Sequence, residues 1–546
     1  MDTKHINNIL LSVCLGTSTL GLSSCSDSFF DRYNSDTMQM ETYMKNDSEV
    51  ENILLDAYYY LRSVQEDVIM INGLCTDEAY DYKKNNQNDY ISFNEGTWDA
   101  SSATVSNLWQ YSFNMINRCN SVLDKLGNVS EANRKQFEGE ACFFRAYAYF
   151  TLVRLFGPVP ITDHVINDFN ELYNYGRSPK EEVYALIKKD LAKAVEDLPD
   201  SYSDAGKAGR ATQIAAKVML ADVDMTLKDF NSAKTTLKEV IDYADANPDK
   251  LGLLDDYASI FDSENPNNKE IILAGQFNNG SIVVANYLMR RCIPNVTPNR
   301  QPAYTFADGT KSTILTSQGV SCLLMTWELY NQLRSNPQDK RYTEMVYDKL
   351  YDTSQTKSKQ TDEVDVTANG EAYTPTTLKY FDKHNQGLKT CASGCDDIVY
   401  RYAGVLLMYA ECLNETGSTN DAKTYLDKVR SRAGVSGTTA ASQDEMRLAI
   451  ENERFTELCF EGHRWFDLVR TGRINDVMTA HFNHRVQGLS ATQQASNNGM
   501  AVADCDATTG KPLEWRWSSI TSDILFPIPY DQLQLSSNRW KQNTGY

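Results

Sequence analysis

"AGVLLMYAECLNETGSTNDAKTYLDKVR", residues 403–430, aligns without a gap on "AAKVMLADVDMTLKDFNSAKTTLKEVI", residues 215–241. Ala221, Ala233, Lys234, Thr235, Leu237 and Val240 fall on Ala410, Ala422, Lys423, Thr424, Leu426 and Val429. Each stretch reads as two amphipathic helices joined by a short polar turn, because apolar residues recur at helical spacing on both sides of the break. Alanine at the crossing points lets the paired helices approach closely. One such pair cannot bury its own apolar face, so the pattern predicts stacking of several units. The alternative is chance similarity between amphipathic helices.

A helix pair of this kind resembles a tetratricopeptide unit. The two copies are widely separated, so the expected array is interrupted. Other segments supply more helices. Ser48 and Glu51 have capping-box spacing, and Val50, Ile53, Leu54, Ala57 and Leu61 form a helical stripe behind them. In "FEGEACFFRAYAYFTLVRLFGPVP", residues 137–160, Phe137, Ala141, Phe144, Ala148 and Leu152 share a face, and Gly157-Pro158 ends the helix. Pro179 after Ser178 opens another, striped by Val183, Leu186, Ile187, Leu191 and Val195. Between the copies, roughly 276–320 and 351–397, asparagine, glycine, threonine and serine take over, with Tyr287, Tyr304 and Phe306 interspersed. These read as long surface excursions, where function usually sits on a rigid scaffold.

The chain of 546 residues is long enough for a sizeable core. Its formal net charge of -20 repels nucleic acid and anionic headgroups, and argues for neutral rather than sulfated or uronic ligands. The 31 tyrosines, 7 tryptophans and 20 phenylalanines are generous for aromatic contact surfaces. Twelve cysteines are too dilute for a disulfide scaffold, although Cys391 and Cys395 in "CASGC" stand close enough for one local bridge or none. The six histidines do not cluster at metal-ligand spacings, so neither a metal nor a cofactor is expected.

At the amino end, Lys4 precedes a mostly apolar run from Ile9 to Leu22, shorter than the roughly 20 residues that span a bilayer. It reads as a signal-peptide core. Leu22-Ser23-Ser24-Cys25 then matches the bacterial lipobox, which implies cleavage before Cys25 and acylation of that cysteine. An ordinary secretory signal with a chance cysteine is the alternative. Polar residues follow to Asp47, as in a tether.

No metalloprotease His-Glu-x-x-His, phosphate-cradling glycine loop or serine elbow is visible. Paired carboxylates of the kind glycoside hydrolases use are abundant in any acidic chain of this length. In "ERFTELCFEGHRWFDLVRTGR", His463, Arg464 and Asp467 invite a catalytic reading. The apolar residues around them point instead to a packed, salt-bridged element, with Glu453, Arg454, Glu457, Arg464, Asp467 and Arg470 pairing across turns. Trp109, Trp327 and Trp465 lie in apolar stripes and read as core. Trp515 and Trp517 alternate as on one face of a strand and read as packing. Trp98 differs: it sits in "ISFNEGTWDASSATVSN" with no apolar periodicity around it.

Several segments together resemble the SusD/RagB-type outer-membrane lipoproteins of Bacteroidetes. "GEACFFRAYAYFTLVRLFGPVPI" is similar to that family's central helix and "GRATQIAAKVMLADV" to the helix that follows. "NERFTELCFEGHRWFDLVRTGR" is similar to its most recognisable stretch, and "LFPIPYDQLQLSSNRWKQNTGY" to its closing Pro-Ile-Pro segment. With the lipobox, these landmarks run in the family's order from residue 22 to residue 546. The resemblance implies a mainly α fold with a tetratricopeptide-like helical repeat core and a loop-rich second half. It implies no catalytic activity and a lipid-anchored position at the surface of the outer membrane. It also implies a partner, a SusC-like TonB-dependent transporter that receives the captured oligosaccharide. The expected organisation is a signal peptide over 1–24, a lipidated tether over 25–47, a helical repeat region over 48–265 and a loop-rich region over 266–546, the last two packing as one composite domain.

Under this reading Trp98 forms the floor of the ligand site, because the family's glycan binders carry an aromatic platform ahead of an early helix. Asp77 and Tyr80 would supply a polar rim, and Tyr287 and Tyr304 would close the site from the second half. A tryptophan packed under its own loop is the alternative for Trp98. A peptide-binding RagB-like protein is the alternative within the family. A surface glycoside hydrolase and a purely structural lid are those outside this reading.

Overall fold

The computed structural model describes residues 43–81, 88–166, 171, 175–278, 285–293, 300–301, 303–305, 311–313, 319–352, 363–365, 375–384, 393–487, 514–520, 524–537 and 539–546. The chain is mainly helical. In order come α1 (Asp47–Leu74), α2 (Asn88–Glu95), α3 (Ala103–Asp124), α4 (Glu131–Phe156), α5 (Lys180–Asp197), α6 (Gln213–Thr226) and α7 (Phe230–Ala246). The second half adds α8 (Leu288–Cys292), α9 (Trp327–Arg334), α10 (Lys340–Met345), α11 (Tyr402–Glu415) and α12 (Thr419–Arg432). Then follow α13 (Gln443–Glu457), α14 (Arg464–Thr471), α15 (Ile474–Gln487) and α16 (Tyr530–Leu535).

The first helix starts two residues earlier than the Ser48–Glu51 spacing suggests. Asn46 takes the cap, its side chain accepting from the Glu49 amide at 3.1 Å, while the Glu49 carboxylate reaches back to the Lys45 amide at 2.8 Å. Asparagine caps as well as serine, and this register puts Asp47 and Glu49 at the positive end of the helix dipole. Helix α4 is buried on nearly every side from Phe137 onward and runs through the core. Gly139 lets it meet the end of α5: a Cβ there would stand 2.9 Å from Leu198 Cδ2. Gly157, at φ 71°, ends it. Its last carbonyl, on Phe156, accepts from Asn543 Nδ2 at 3.0 Å and Arg177 Nη2 at 2.9 Å, so the closing segment of the chain caps the central helix.

Helices α4 to α7 pack successively, each on the next. The array then skips the excursion: α7 packs on α11, and α11 on α12 and α13. The two units matched in the sequence, α6–α7 and α11–α12, are therefore neighbours in one stack. What brings them together is a two-stranded antiparallel ribbon. Ile271–Gly275 pairs with Asp397–Arg401, with Asp397 opposite Gly275 and Arg401 opposite Ile271. Both runs are rich in Ile, Leu, Val and Tyr, which suit a buried strand.

A buried ion network lies at the foot of that ribbon. Arg401, 2% exposed, uses all five N–H groups. Its Nε donates to Glu461 at 2.8 Å, Nη1 to Glu270 at 3.0 Å and Glu457 at 2.6 Å, and Nη2 to the Glu457 carbonyl at 2.6 Å and Glu461 at 3.0 Å. Arg432 bridges Glu270 and Glu457, Arg341 joins Glu457 to Glu453, and Lys379 meets Glu461 at 2.6 Å. Burial alone would raise the Glu457 carboxyl, but Arg432, Arg401 and Arg341 hold it well below the usual carboxylate range. Next door, Asp467 accepts from Arg454 at 2.7 Å and Arg470 at 2.8 Å, and burial with Arg454 drives His463 down to about 4. The stretch around Arg464 is thus a packed, salt-bridged element, as the sequence suggests.

The second core feature corrects a sequence expectation. Trp98 is not a platform: its indole is 1% exposed. One face stacks on Trp517 at a centroid distance of 4.2 Å and the other on Phe526 at 5.2 Å, with Trp465 edge-on at 5.9 Å. The lack of local apolar periodicity misleads because every one of these partners comes from the far end of the chain. Trp515 and Trp517 are buried as read, although their segment is a turn rather than a strand. Trp98→Ala should cost about 3–5 kcal/mol of stability, the range for emptying a buried aromatic site. Urea unfolding followed by circular dichroism measures it, and an unchanged midpoint would show that this cluster does not hold the two ends together.

Candidate functional site

Ser63, Glu66 and Asp67 stand at i, i+3 and i+4 on α1, so they share its polar face, opposite the stripe buried in the core. On α3, Ala103, Asn107 and Tyr111 line up in the same way one turn apart. Between these two faces lie Asp89 and Tyr90 of α2 and Arg291 of α8. Together they enclose a cleft of about 600 Å³.

Each side chain is held. The Asp89 carboxylate accepts from the Thr104 amide at 2.8 Å and its hydroxyl at 3.1 Å, at the positive end of α3. Ser102 caps that helix through the Val105 amide. Arg291 donates to Glu66 from Nε, at 3.0 Å, and from Nη2, and its Nη1 donates to the Tyr90 hydroxyl. Burial would lower the Arg291 pKa, but Glu66 keeps it above the ordinary value. Burial also pushes Tyr90 up to about 12.

Asp67 is different. Its Oδ2 is sealed from solvent without a hydrogen-bond partner. Burial first, then Glu66, drives its pKa well up, which favours a carboxyl that both donates and accepts. Beside the cleft, Tyr111 and Tyr60 stand with ring centroids 6.3 Å apart, and Tyr59 meets Tyr60 edge-on at 5.6 Å. The whole offers carboxyls, hydroxyls, an amide and one guanidinium next to tyrosine rings, the partners that a hydroxyl-rich ligand needs.

The residues singled out in the sequence distribute unevenly around it. Asp77 is not a free rim: it is 7% exposed, and Arg464 clamps both oxygens at 2.8 Å. Tyr80 is buried on the short strand Ala79–Tyr80, paired with Leu324–Met325. Tyr287, 37% exposed, directly precedes α8, the helix that delivers Arg291 to the cleft. Tyr304 lies on the strand Ala303–Thr305, opposite Ser312, and its side chain is outside the described residues. Cys25 and Cys391 are also outside them, while Cys395 is a buried thiol. Sequence reading missed Glu66, Asp67, Asp89, Tyr90, Tyr111 and Arg291. The one available signal was the polar Ser63-Glu66-Asp67 face of a helix read only for its apolar stripe.

A second cleft, of about 430 Å³, is lined by Arg447, Arg454, Arg464, Arg470 and Arg473. Its charges satisfy one another. Arg447 meets Glu415 at 2.6 Å, Arg473 meets Glu451 at 3.1 Å, and Arg470 pairs with Glu411. The first cleft is the better site because Asp67 lacks such a partner.

The raised Asp67 pKa has a consequence for stability. The folded state binds this proton more tightly than the unfolded chain, so its contribution is complete below about pH 4 and is lost as pH rises toward the folded value. Asp67→Asn removes that loss. Thermal unfolding should show a gain of about 1–2 °C in Tm at pH 8 that disappears near pH 4. A gain equal at both pH values would mean that the carboxyl is not buried and protonated.

Residues 269–546 match the family described as the SusD family, and residues 28–225 match the family described as "Starch-binding associating with outer membrane". SusD-like protein P2 of Formosa agariphila is 27% identical over 467 residues, covering 83% of each chain. Among solved structures, a SusD homolog from Bacteroides thetaiotaomicron superimposes with a TM-score of 0.71 at 21% identity, over 93% of this chain and 99% of that one. A laminarin-binding SusD-like protein does so with a TM-score of 0.67 at 23% identity, over 92% of this chain and 100% of that one. These structures share the fold.

Proposed function

The chain belongs to the SusD family, and on that premise we propose that it is a glycan-binding lipoprotein of the outer membrane, anchored at the cell surface through Cys25. It captures oligosaccharides and passes them to a SusC-like TonB-dependent transporter, without catalysing a reaction on them. The observation that carries the reading is the cleft between α1 and α3, which sets hydrogen-bonding groups beside paired tyrosines. Sugars present hydroxyls that need acceptors such as Asp89 and donors such as Asn107. They also present C–H faces that lie against rings such as Tyr111. The laminarin-binding neighbour and the starch-binding family description support a carbohydrate over a peptide.

Each sugar hydrogen bond replaces one to water and is worth only about 1 kcal/mol net. A handful of them, less the cost of ordering, gives roughly millimolar to micromolar binding. Weak capture suits a protein that must release its cargo. The stacked helix pairs offer the rigid, extended surface on which a transporter would dock.

Titration calorimetry with laminarin oligosaccharides and a wider glycan panel tests the site. Tyr111→Ala should weaken binding of the recognised glycan by about 1–2 kcal/mol, roughly tenfold, with little change in Tm. Equal affinity would move the site away from this cleft. No new reducing ends should appear on prolonged incubation.

Anchoring has its own test. Cys25→Ala should release the protein from the outer membrane in cells that lack the transporter. Retention of the variant in the membrane fraction would defeat the lipid anchor.

A further inference from the structure

The cleft has an asymmetry of charge. Among its described lining residues stand three carboxyls, Glu66, Asp67 and Asp89, and one cation, Arg291. A guanidinium is the usual fork for a carboxylate or sulfate, but this one already pairs with a carboxylate of the protein. Two of its nitrogens donate to Glu66 and the third to the Tyr90 hydroxyl. Its charge is matched before any ligand arrives. What remains is Asp89, with one oxygen held by Thr104, and Asp67, whose Oδ2 has no partner.

An ionised acid on a ligand brings acceptors only, and here it would face further acceptors. A hydroxyl or an ammonium brings the donor that the free oxygen of Asp89 lacks, and a sugar hydroxyl can also pair with the Asp67 carboxyl, which both donates and accepts. The surrounding protein, at a formal -20, adds to the repulsion of anions. We propose that the cleft selects its glycan by charge, taking neutral or amine-bearing chains and rejecting uronates and sulfate esters, with Asp89 as the residue that discriminates. This rests on the reading of the cleft as the glycan site.

The test is an array of neutral glycans, glucosamine oligomers, oligogalacturonides and sulfated glycans, followed by calorimetry on the member that binds. That glycan is then oxidised at its primary hydroxyls to uronates, giving a matched pair that differs in charge. The expected result is a neutral or amine-bearing binder, and a loss of roughly tenfold or more on oxidation that shrinks in high salt. In Asp89→Asn the oxidised form should regain most of that loss. Asparagine still offers Thr104 an acceptor, and circular dichroism checks that the variant folds. Should it fail to fold, the salt series on the unaltered protein carries the test.

Tight binding of a uronate or sulfated glycan would overturn the charge selection and leave the glycan-binding function standing. A loss on oxidation that neither salt nor the Asp89 variant relieves would overturn the role of Asp89. Failure of every glycan to bind would instead defeat the function proposed above, and this inference with it.

Discussion

The guanidinium of Arg401 is the point on which the architecture turns. It is buried, it is charged, and all five of its donors are met by Glu270, Glu457, Glu461 and the Glu457 carbonyl. Those acceptors come from the residue before the first ribbon strand, the end of α13 and the loop that follows it. An ion network taken out of water gives little net stability, because desolvation offsets most of the attraction. What such a network supplies is register. Only one alignment of Asp397–Arg401 against Ile271–Gly275 puts Arg401 among those carboxylates, so the chain re-enters the helical stack at one place.

The functional geometry follows from that closure. With α7 against α11, the first helices are held by the rest of the stack on one side, and α8 is brought over their polar face from the excursion. The cleft therefore draws on distant parts of the chain: α1, α2 and α3 from the early helices, and Arg291 from beyond residue 275. The aromatic cluster does a similar job at the other end. Trp98 lies between Trp517 and Phe526, so the segment entering α3 is pinned by the last residues of the protein. A rigid frame of this kind keeps a weak binding site from losing further affinity to the ordering of its own walls.

The helices were legible because their information is local. The gap-free match of residues 215–241 with 403–430 anticipated two similar helix pairs, and these pairs are neighbours in one stack. Gly157 ended α4 where the spacing indicated, since a left-handed glycine is a signal contained in one residue. The site was poorly legible for the opposite reason. Trp98 and Asp77 looked available because their partners, Trp517, Phe526 and Arg464, lie hundreds of residues away. The pairing expected across turns around Arg464 holds for Asp467 with Arg470, yet Arg464 itself reaches to Asp77. Conversely, Glu66 and Asp67 drew no notice, because their helix shows itself in the sequence through its apolar stripe. Nothing near them in the chain indicates that Arg291 will arrive to complete a cleft.

The ribbon of Ile271–Gly275 with Asp397–Arg401 has a bearing on how such a protein diversifies. It sets the entry and exit of the excursion side by side, while Arg341 and Lys379 tie two points of the excursion into the buried ion network. Closing a longer loop across those fixed ends costs only about 0.6 kcal/mol per doubling of length. Insertions and deletions in the stretches away from these buried anchors are therefore cheap for the stack. Drift in those stretches can alter the range of compounds retained, while the helices and the buried charges, Arg341 and Lys379 among them, are inherited unchanged.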